Sequence, residues 1–232
     1  MRTMNLIPTL FVALSAAALG SAAAANTTSF VGYSENNTGS LPATAEVAAP
    51  AGFDELVIRG QFTDGTGNQD LNLVDLFQIN ITNAGHYFFN TFGSEVADTQ
   101  LFLFDSAGKG LVWNNDATLA PVNTLSALDA QLEAGTYYLA VSWIGMVPLD
   151  GSMTSIFDTL GNGGGPLGGS GALASWADFS GAGQFDSKFY FINGYVSAVP
   201  EPAALGLMLA GLALIGRAAT RRRTADAATD KR

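Results

Sequence analysis

The sequence contains no cysteine and only one histidine, His86. Without cysteine, the chain has no disulfide framework, no thiolate nucleophile and no cysteine-ligated metal. With one histidine, a zinc site made only of histidines is impossible within one chain, and a Ser-His-Asp relay would depend on His86. The sequence therefore excludes thiol catalysis and histidine-only or cysteine-based metal sites.

Basic residues are also scarce between the two ends of the chain. In the stretch 26–198, Arg59, Lys109 and Lys188 are the only basic residues against 17 acidic ones, a net charge near −14. Such a surface repels the phosphates of nucleic acids and of anionic lipids. We therefore expect no nucleic-acid partner, and the charge is compatible with divalent cations or simply with solubility outside the cell.

The N-terminal end has the pattern of an export signal. Arg2 precedes an apolar stretch over residues 6–19, and Ala23 and Ala25 fit the Ala-x-Ala rule for cleavage. The pattern predicts a signal peptide over residues 1–25 that engages the export machinery. An uncleaved N-terminal anchor is the alternative.

The C-terminal end combines a short motif, an apolar run and a basic cluster. These are, in order, Val199, Pro200, Glu201 and Pro202, then residues 203–216, then Arg217, Arg221, Arg222 and Arg223. As a helix the apolar run measures ~21 Å, short of the ~30 Å hydrocarbon core, so Arg217 would snorkel to complete the span. The arginines place the C-terminus in the cytoplasm by the positive-inside rule. A buried amphipathic helix is disfavoured because the run has no polar face.

This order of features resembles the PEP-CTERM sorting signal of Gram-negative bacteria that make exopolysaccharide. The resemblance implies that a membrane protease-transpeptidase of the exosortase family recognises Pro200, Glu201 and Pro202 and processes the tail. It also implies an inner-membrane anchored precursor that is later delivered to the cell envelope or extracellular matrix. We accordingly divide the chain into a signal peptide (1–25), an ectodomain (26–198), a sorting signal with a transmembrane helix (199–223) and a cytoplasmic tail (224–232).

Strand patterns dominate the ectodomain, and no long stretch of helical period precedes the tail. In residues 76–81, Phe77, Ile79 and Ile81 alternate with Leu76, Gln78 and Asn80, which predicts a strand with two distinct faces. Other predicted strands cover residues 55–62, 87–92, 101–104, 111–113, 136–143 and 188–196. The strands and their Gly and Asx turns predict an all-β, jelly-roll-like antiparallel β-sandwich of roughly eight strands.

Three connections in the ectodomain have their own signals. Residues 106–108 predict a hairpin turn with Gly108 free to take positive φ. Residues 125–132 fit either a strand or one helical turn. The glycine-rich stretch 145–183 predicts a long loop that returns to strand character at Lys188.

Several ectodomain motifs occur in the order found in a second family. They are Asp75 to Ile79, Ala84 to Tyr87, Asp98 to Asp105 with Gly108, Asn114 to Asp116, and Leu132 with Ala134 to Val141. Over residues 75–143 they resemble the bacterial pre-peptidase C-terminal-like domains. The resemblance implies a jelly-roll-like β-sandwich on a secreted bacterial protein, without catalysis of its own.

Calcium is the best candidate ligand. Asp98, Asp105, Asn114, Asn115 and Asp116 flank two adjacent predicted strands, so their side-chain oxygens could meet at one end of a hairpin. Calcium takes six to eight hard oxygens at ~2.3–2.6 Å, which carboxylates, amides and carbonyls supply. The alternative is that Asp and Asn stand there as ordinary turn formers.

No catalytic constellation stands out. Ser170 lies between glycines that break the Gly-x-Ser-x-Gly spacing. A glycosidase needs two facing carboxylates, and nothing in the sequence singles out a pair among the 17 acids. For sugar stacking, Trp176 in the glycine-rich stretch is the best aromatic candidate, because most other aromatics are expected in the core.

These observations favour an exported, non-enzymatic protein of the cell surface or of the exopolysaccharide (biofilm) matrix. Extracellular polysaccharide is then its natural partner. The first alternative is a carbohydrate-binding module of the extracellular matrix that uses Trp176. The second is a hydrolase with an unrecognised carboxylate pair.

Overall fold

The structure is a computed structural model that describes residues 29–35, 38–64, 71–117, 124–179 and 187–197, and residue 211. Every regular element between residues 29 and 197 in these ranges is a β-strand, so the predicted all-β class is confirmed. The strands are β1 (Phe30–Ser34), β2 (Glu46–Ala49), β3 (Glu55–Asp64), β4 (Leu71–Asn72), β5 (Val74–Ile81), β6 (Gly85–Asn90), β7 (Thr99–Asp105), β8 (Gly110–Asn114), β9 (Ala127–Leu132), β10 (Gly135–Trp143), β11 (Met146–Asp150), β12 (Gly163–Gly164), β13 (Leu173–Asp178) and β14 (Lys188–Ser197).

Twelve of these strands form two six-stranded sheets. Sheet A has the order β1-β3-β14-β6-β9, with β4 paired to β3, and sheet B has the order β12-β8-β7-β10-β5-β2. Strands β11 and β13 pair with each other in a separate two-stranded sheet. The arrangement fits a β-sandwich, and its jelly-roll-like character stays a prediction.

The prediction of a wholly antiparallel sandwich is wrong at two edge strands. Strand β1 pairs parallel to β3, and β2 pairs parallel to β5. Parallel neighbours need a crossover connection. Here the chain passes from β1 in sheet A to β2 in sheet B and back to β3 in sheet A, so it re-enters each sheet in the same direction.

Apolar side chains from both sheets form one core between them. Leu56 of sheet A and Phe77, Ile79 and Ile81 of sheet B are buried in this core. Leu76 belongs to a different cluster on the outer face of sheet B. The two faces predicted for β5 are therefore confirmed.

A second core lies on the outer face of sheet B, beneath residues 146–179, which we call the covering layer. Phe102 and Trp113 of sheet B pack there against Ile156, Phe157 and Leu173 of the layer. The prediction of a long loop over 145–183 is thus wrong in part, since β11, β12 and β13 lie within it. Strand β12 could not be recognised because it consists of Gly163 and Gly164 alone, and glycine gives no apolar alternation.

Asp150 ties the covering layer together. Its Oδ1 accepts hydrogen bonds from the Ser152 hydroxyl at 2.7 Å and from the Thr154 N–H at 3.0 Å, and its Oδ2 accepts the Gly171 N–H at 2.8 Å. The hydrogen bond from Ser152 and the backbone N–H groups of Gly171 and Thr154 lower the pKa of this carboxyl well below its usual range. One carboxylate therefore joins the two ends of the glycine-rich segment.

Two further predictions concern local structure. The hairpin between β7 and β8 is confirmed, with Gly108 at φ 77°. Residues 125–132, for which strand and helical turn were both open, contain strand β9. Strand β9 pairs with β6 and forms one edge of sheet A.

Candidate functional site

The predicted calcium residues are divided between the two ends of the β7–β8 hairpin. Asp98 directly precedes β7 and Asp105 ends it, so the two lie ~23 Å apart at ~3.3 Å per residue. They cannot share one ion whose ligands stand at ~2.3–2.6 Å. Asp105 instead stabilises the turn, because its Oδ1 accepts the N–H groups of Ala107 at 2.8 Å and Lys109 at 2.9 Å. The expected convergence of all five residues is therefore wrong for Asp105.

The side-chain amide of Asn114 is hydrogen-bonded to backbone groups. Its Nδ2 donates to the Asn162 carbonyl at 2.8 Å and to the Asp116 carbonyl at 3.1 Å, and its Oδ1 accepts the Ala127 N–H at 2.8 Å. These bonds connect the end of β8 to β9 and to the segment before β12. The amide has a structural role, and its oxygen is not directed to an ion.

Asp98, Asn115 and Asp116 remain together at the other end of the hairpin. Oδ1 of Asp98 and Oδ1 of Asn115 are both buried without a hydrogen-bond partner. Burial raises the pKa of Asp98 to about 6, and the negative charge of Asp116 contributes to the rise. A bound cation would satisfy both oxygens and reverse this shift.

The donor set at this end is incomplete by itself. Within the ranges that the structure describes, no group of three or more His, Cys, Asp or Glu side chains could hold a metal ion. Two carboxylates and one amide supply part of a calcium shell, and loop carbonyls or water would have to supply the rest. The residues therefore fit calcium in part.

Trp176 is anchored rather than free. Its indole N–H donates to the Ser40 carbonyl at 2.8 Å, and its ring packs edge-on against Phe102 at 5.3 Å and Phe104 at 6.4 Å between centroids. The half-buried ring also lines a depression of ≈ 190 Å³ together with Met146. Most of the ring thus serves the second core, and its exposed part borders a small depression.

A network of carboxyl and tyrosine groups, which the sequence did not single out, lies at the edge of the main core. The Tyr190 hydroxyl stands 2.7 Å from Asp75 Oδ2 and 3.3 Å from Glu35 Oε2. Beside it, the Tyr33 hydroxyl donates to Glu46 Oε2 at 2.5 Å. No local pattern could have revealed this network, because its members are separated by up to 155 residues along the chain.

Asp75 is the fully buried carboxyl of this network. Burial raises its pKa to about 7, and the charge of Glu35 adds to the rise, while hydrogen bonds from Asn72 and Tyr190 oppose it. Gly60 leaves the room that the network needs, because a Cβ there would stand 2.1 Å from the Tyr190 hydroxyl. Both oxygens of Asp75 are hydrogen-bonded and closed off from solvent, so the carboxyl cannot reach a substrate.

The outer face of sheet A carries a feature that sequence reasoning missed. Directly paired residues form a row across five strands, which we call the aromatic row; it consists of Asp129, Phe88, Tyr195, Glu55 and Phe30. Alternation within β6 and β14 places Phe88 and Tyr195 on one face. The pairing of β6, β14 and β9 could not be read from the sequence, so the row could not be assembled from it.

At the Asp129 end of the row lies a shallow, open cavity of ≈ 360 Å³ lined by His86, Phe88, Asp129 and Tyr195. The rings of Phe88 and Tyr195 lie 5.1 Å apart between centroids at an angle of 34°. The Tyr195 hydroxyl accepts a hydrogen bond from Asn90 Nδ2 at 3.2 Å. His86 Nδ1 stands 3.4 Å from Asp129 Oδ1.

The predicted export and sorting residues lie outside the described residues. This applies to Ala23 and Ala25, to the motif 199–202 and to the arginine cluster at 217 and 221–223. In the part of the chain that the structure describes, no helix has the length and apolar character needed to cross a membrane. The predicted signal and transmembrane helices therefore stay predictions.

Comparison with known proteins identifies the tail. The family of the PEP-CTERM protein-sorting motif matches residues 198–223, immediately after the end of β14. No curated protein matches the chain. The similarity of residues 75–143 to pre-peptidase C-terminal-like domains stays a prediction. The sorting motif indicates that the chain is an exported protein, processed by exosortase from a membrane-anchored precursor.

Proposed function

We propose that this protein is a non-enzymatic component of the cell surface or of the exopolysaccharide matrix. The observation that carries the proposal is the position of the sorting motif, which begins at residue 198, directly after the last strand of sheet A. With no spacer between them, the sandwich is the cargo that the tail delivers. The ectodomain's net charge near −14 suits a protein kept soluble outside the cell.

The acids that are hydrogen-bonded to tyrosines support a structural role rather than catalysis. Asp75 and Glu35 both contact the Tyr190 hydroxyl, and Glu46 accepts hydrogen bonds from Tyr33 and Thr38. A glycosidase pair instead faces an open cleft, where one acid protonates the leaving group. A hydrolase would therefore need a different pair of acids.

Mass spectrometry of the protein from native cells tests the proposal. We expect an N-terminus near residue 26, a C-terminus near Pro200, and recovery from the envelope or matrix fraction. The variant Glu201→Ala should accumulate as an uncut precursor in the membrane, because it removes the charged residue of the motif. Glu133→Ala, an exposed glutamate outside the motif, serves as the control and should be processed normally. Recovery of the intact chain from the cytoplasm would contradict the proposal.

A carbohydrate-binding module is the second candidate function. It is favoured by the aromatics on the outer face of sheet A, which are the exposed Tyr195 and Phe30 and the half-buried Phe88. Trp176 is the rival position, on the opposite side of sheet B from the main core. The two positions are separable by mutation because they lie on different sheets.

Calcium binding at Asp98, Asn115 and Asp116 is a further part of this proposal. It is supported by the two buried, unpaired oxygens of Asp98 and Asn115. A cation that binds only the folded protein raises stability by ~1.4 kcal/mol for each tenfold excess over its Kd. We expect millimolar Ca²⁺ to raise the melting temperature relative to chelator, and Asp98→Asn to abolish that rise.

The matched control for calcium is Asp105→Asn. Asp105 lies at the other end of the hairpin and holds a turn, so its variant should keep the full response to calcium. A melting temperature that is the same in Ca²⁺ and in chelator would end the calcium hypothesis.

A further inference from the structure

We propose that the aromatic row on sheet A is a binding site for pyranose residues of a polysaccharide that carries no negative charge. The inference rests on the proposed function, because it names the partner that the sorted sandwich would hold. Its ground is that directly paired residues place carboxylates on both sides of two neighbouring aromatic rings on one face of the sheet. In order across the sheet, the row reads Asp129, Phe88, Tyr195, Glu55 and Phe30.

Two aromatic side chains of the row are exposed to solvent, which is energetically unfavourable, and a binding function would explain that exposure. Tyr195 is 42% exposed and Phe30 is 61% exposed. Exposed aromatic groups on the face of a sheet leave apolar surface in water. Exposed aromatic groups on neighbouring strands of one sheet face are a common feature of interaction sites.

The rings are held in place before any ligand arrives. Phe88 packs against Tyr195 at 5.1 Å between centroids, and Asn90, which is itself buried, donates a hydrogen bond to the Tyr195 hydroxyl. A side chain fixed in its binding conformation loses little entropy when a ligand binds. The pair therefore forms a rigid platform on which the C–H face of a sugar ring can lie.

The polar groups stand where the hydroxyls of that sugar would be. Asp129 and Glu55 flank the two rings, each about 5 Å away, one strand spacing along the row. Neither carboxylate forms an ion pair with lysine or arginine among the described residues. Carboxylates accept hydrogen bonds only, and each hydroxyl of a sugar ring can donate one hydrogen bond. Rings below and acceptors at both sides match a flat, hydroxyl-bearing ligand.

Charge and neighbouring residues narrow the class of ligand. A net charge near −14 on the ectodomain, with two acids in the row, repels uronic-acid or phosphate-bearing polymers. The same charge opposes a second copy of this chain. Charged residues are depleted at the centre of protein interfaces, whereas Glu55 lies between Tyr195 and Phe30 in this row. A neutral or amino-bearing glycan fits these conditions.

The exposed aromatic surface is also limited in the direction of the strands. Toward the start of β14, the ring of Phe189 is already covered by the Arg59 guanidinium at 4.2 Å from its centroid. In the other direction, Ser197 is followed at once by the sorting motif. Tyr195 and Pro200 are thus within roughly 18 Å of each other, at up to ~3.6 Å per residue. In the precursor, the platform therefore lies next to the membrane. After processing, strand β14, which carries Tyr195, becomes the C-terminal strand.

Affinity electrophoresis tests the inference with the full-length chain in mild detergent. The gels contain a neutral β-glucan, a deacetylated amino-sugar polymer, or alginate as the anionic glycan. We expect slower migration with the neutral or the amino-sugar polymer, and a loss of affinity of about tenfold or more for Tyr195→Ala. Glu55→Gln and Asp129→Asn are exposed changes that should keep the fold and still weaken binding.

Two variants serve as controls. Phe179→Ala removes an aromatic ring that is 74% exposed but lies outside the row, so it should bind as the unmodified protein does. Trp176→Ala should also bind normally. Three outcomes overturn the inference: no binding to any glycan, binding only to alginate, or binding that is lost with Trp176→Ala and kept with Tyr195→Ala, Glu55→Gln and Asp129→Asn.

These outcomes are distinct from a failure of the proposed function. A chain that is processed and found at the envelope but binds no glycan contradicts only the platform. A chain that binds glycan on the gel but remains uncut in the cytoplasm contradicts the sorting role and leaves the platform intact.

Discussion

The two sheets of the sandwich differ in how many faces they bury. Sheet B is covered on both sides, by sheet A on its inner face and by the covering layer on its outer face. Every residue of β7 from Thr99 to Phe104 is accordingly buried. Sheet A is covered only on its inner face by the described residues, and its outer strands alternate buried and exposed positions, as in β9.

This difference separates stability from recognition within one small domain. A sheet buried on both faces has no surface left for a partner, so its aromatics serve packing. A sheet with one open face can carry exposed side chains on rigid strands, where their positions are precise. The aromatics of sheet B, with Phe102 among them, therefore contribute to stability, and those of the aromatic row are free for the binding role that we propose.

The largest expected effect comes from truncating one aromatic on each outer face. Phe102 contacts Trp113, Phe157 and Trp176 on the covered face of sheet B. Phe102→Ala should lower the free energy of unfolding by ~3–5 kcal/mol, because it leaves a cavity beneath the covering layer. Phe30→Ala, on the open face of sheet A, should change it by no more than ~0.5 kcal/mol. Urea denaturation of both variants measures the two changes.

Equal losses for the two variants would break the comparison. They would mean either that the covering layer does not pack on sheet B or that a partner covers sheet A. The slope of the urea transition adds a check, since a detached layer exposes more surface in the folded state and lowers that slope.

How far the sequence predicts this fold depends on the local strength of each pattern. The strands β5, β7 and β10 were predicted because apolar and β-branched residues alternate or cluster there, as from Val74 to Ile81. Strands β11 and β13 were missed because they are held by tertiary contacts, such as those of Trp176 with Phe102. Strands β1 and β2 were not predicted at all, and their parallel pairing could not be, because pairing partners are not encoded in either strand alone.

The same limit applies to the sites. The sorting motif was predicted because its parts lie next to one another in the chain, and the family match confirms it. The grouping of Asp98 with Asp105 was wrong because a strand of seven residues separates them. The aromatic row was missed because Asp129, Phe88 and Tyr195 meet only through the pairing of three strands.

The next effect concerns the core that the two sheets share. Asp75, closed off within it, has a pKa of about 7 in the folded protein, against ~3.9 in the unfolded chain. Between these values the folded state holds the extra proton, so the stability that Asp75 contributes is fully present below about pH 4 and is lost as the pH rises through 7. At ~1.4 kcal/mol for each unit of pKa, the loss comes to ~4 kcal/mol. Asp75→Asn should remove this dependence in thermal melts from pH 4 to pH 8.5.

The control for this prediction is Asp158→Asn, an exposed aspartate in the covering layer. It should leave the pH profile of stability unchanged. A profile of Asp75→Asn that still falls between pH 4 and pH 7 as steeply as that of the unmodified protein would show that another group carries the dependence.

The smallest effect sharpens the role of the covering layer, and it concerns one hydrogen bond. Trp176 donates its indole N–H to the Ser40 carbonyl at 2.8 Å, which connects the layer to the segment before β2. Trp176→Phe keeps an aromatic ring on Phe102 and removes the donor, so the unfolding free energy should fall by ~1 kcal/mol, to which the smaller ring also contributes. Phe179→Leu, a change at an exposed aromatic nearby in the chain, should stay within ~0.5 kcal/mol. If Trp176→Phe also changed the unfolding free energy by less than ~0.5 kcal/mol, the hydrogen bond to Ser40 would not hold the indole in place. The exposed edge of the indole would then again be the better position for a sugar.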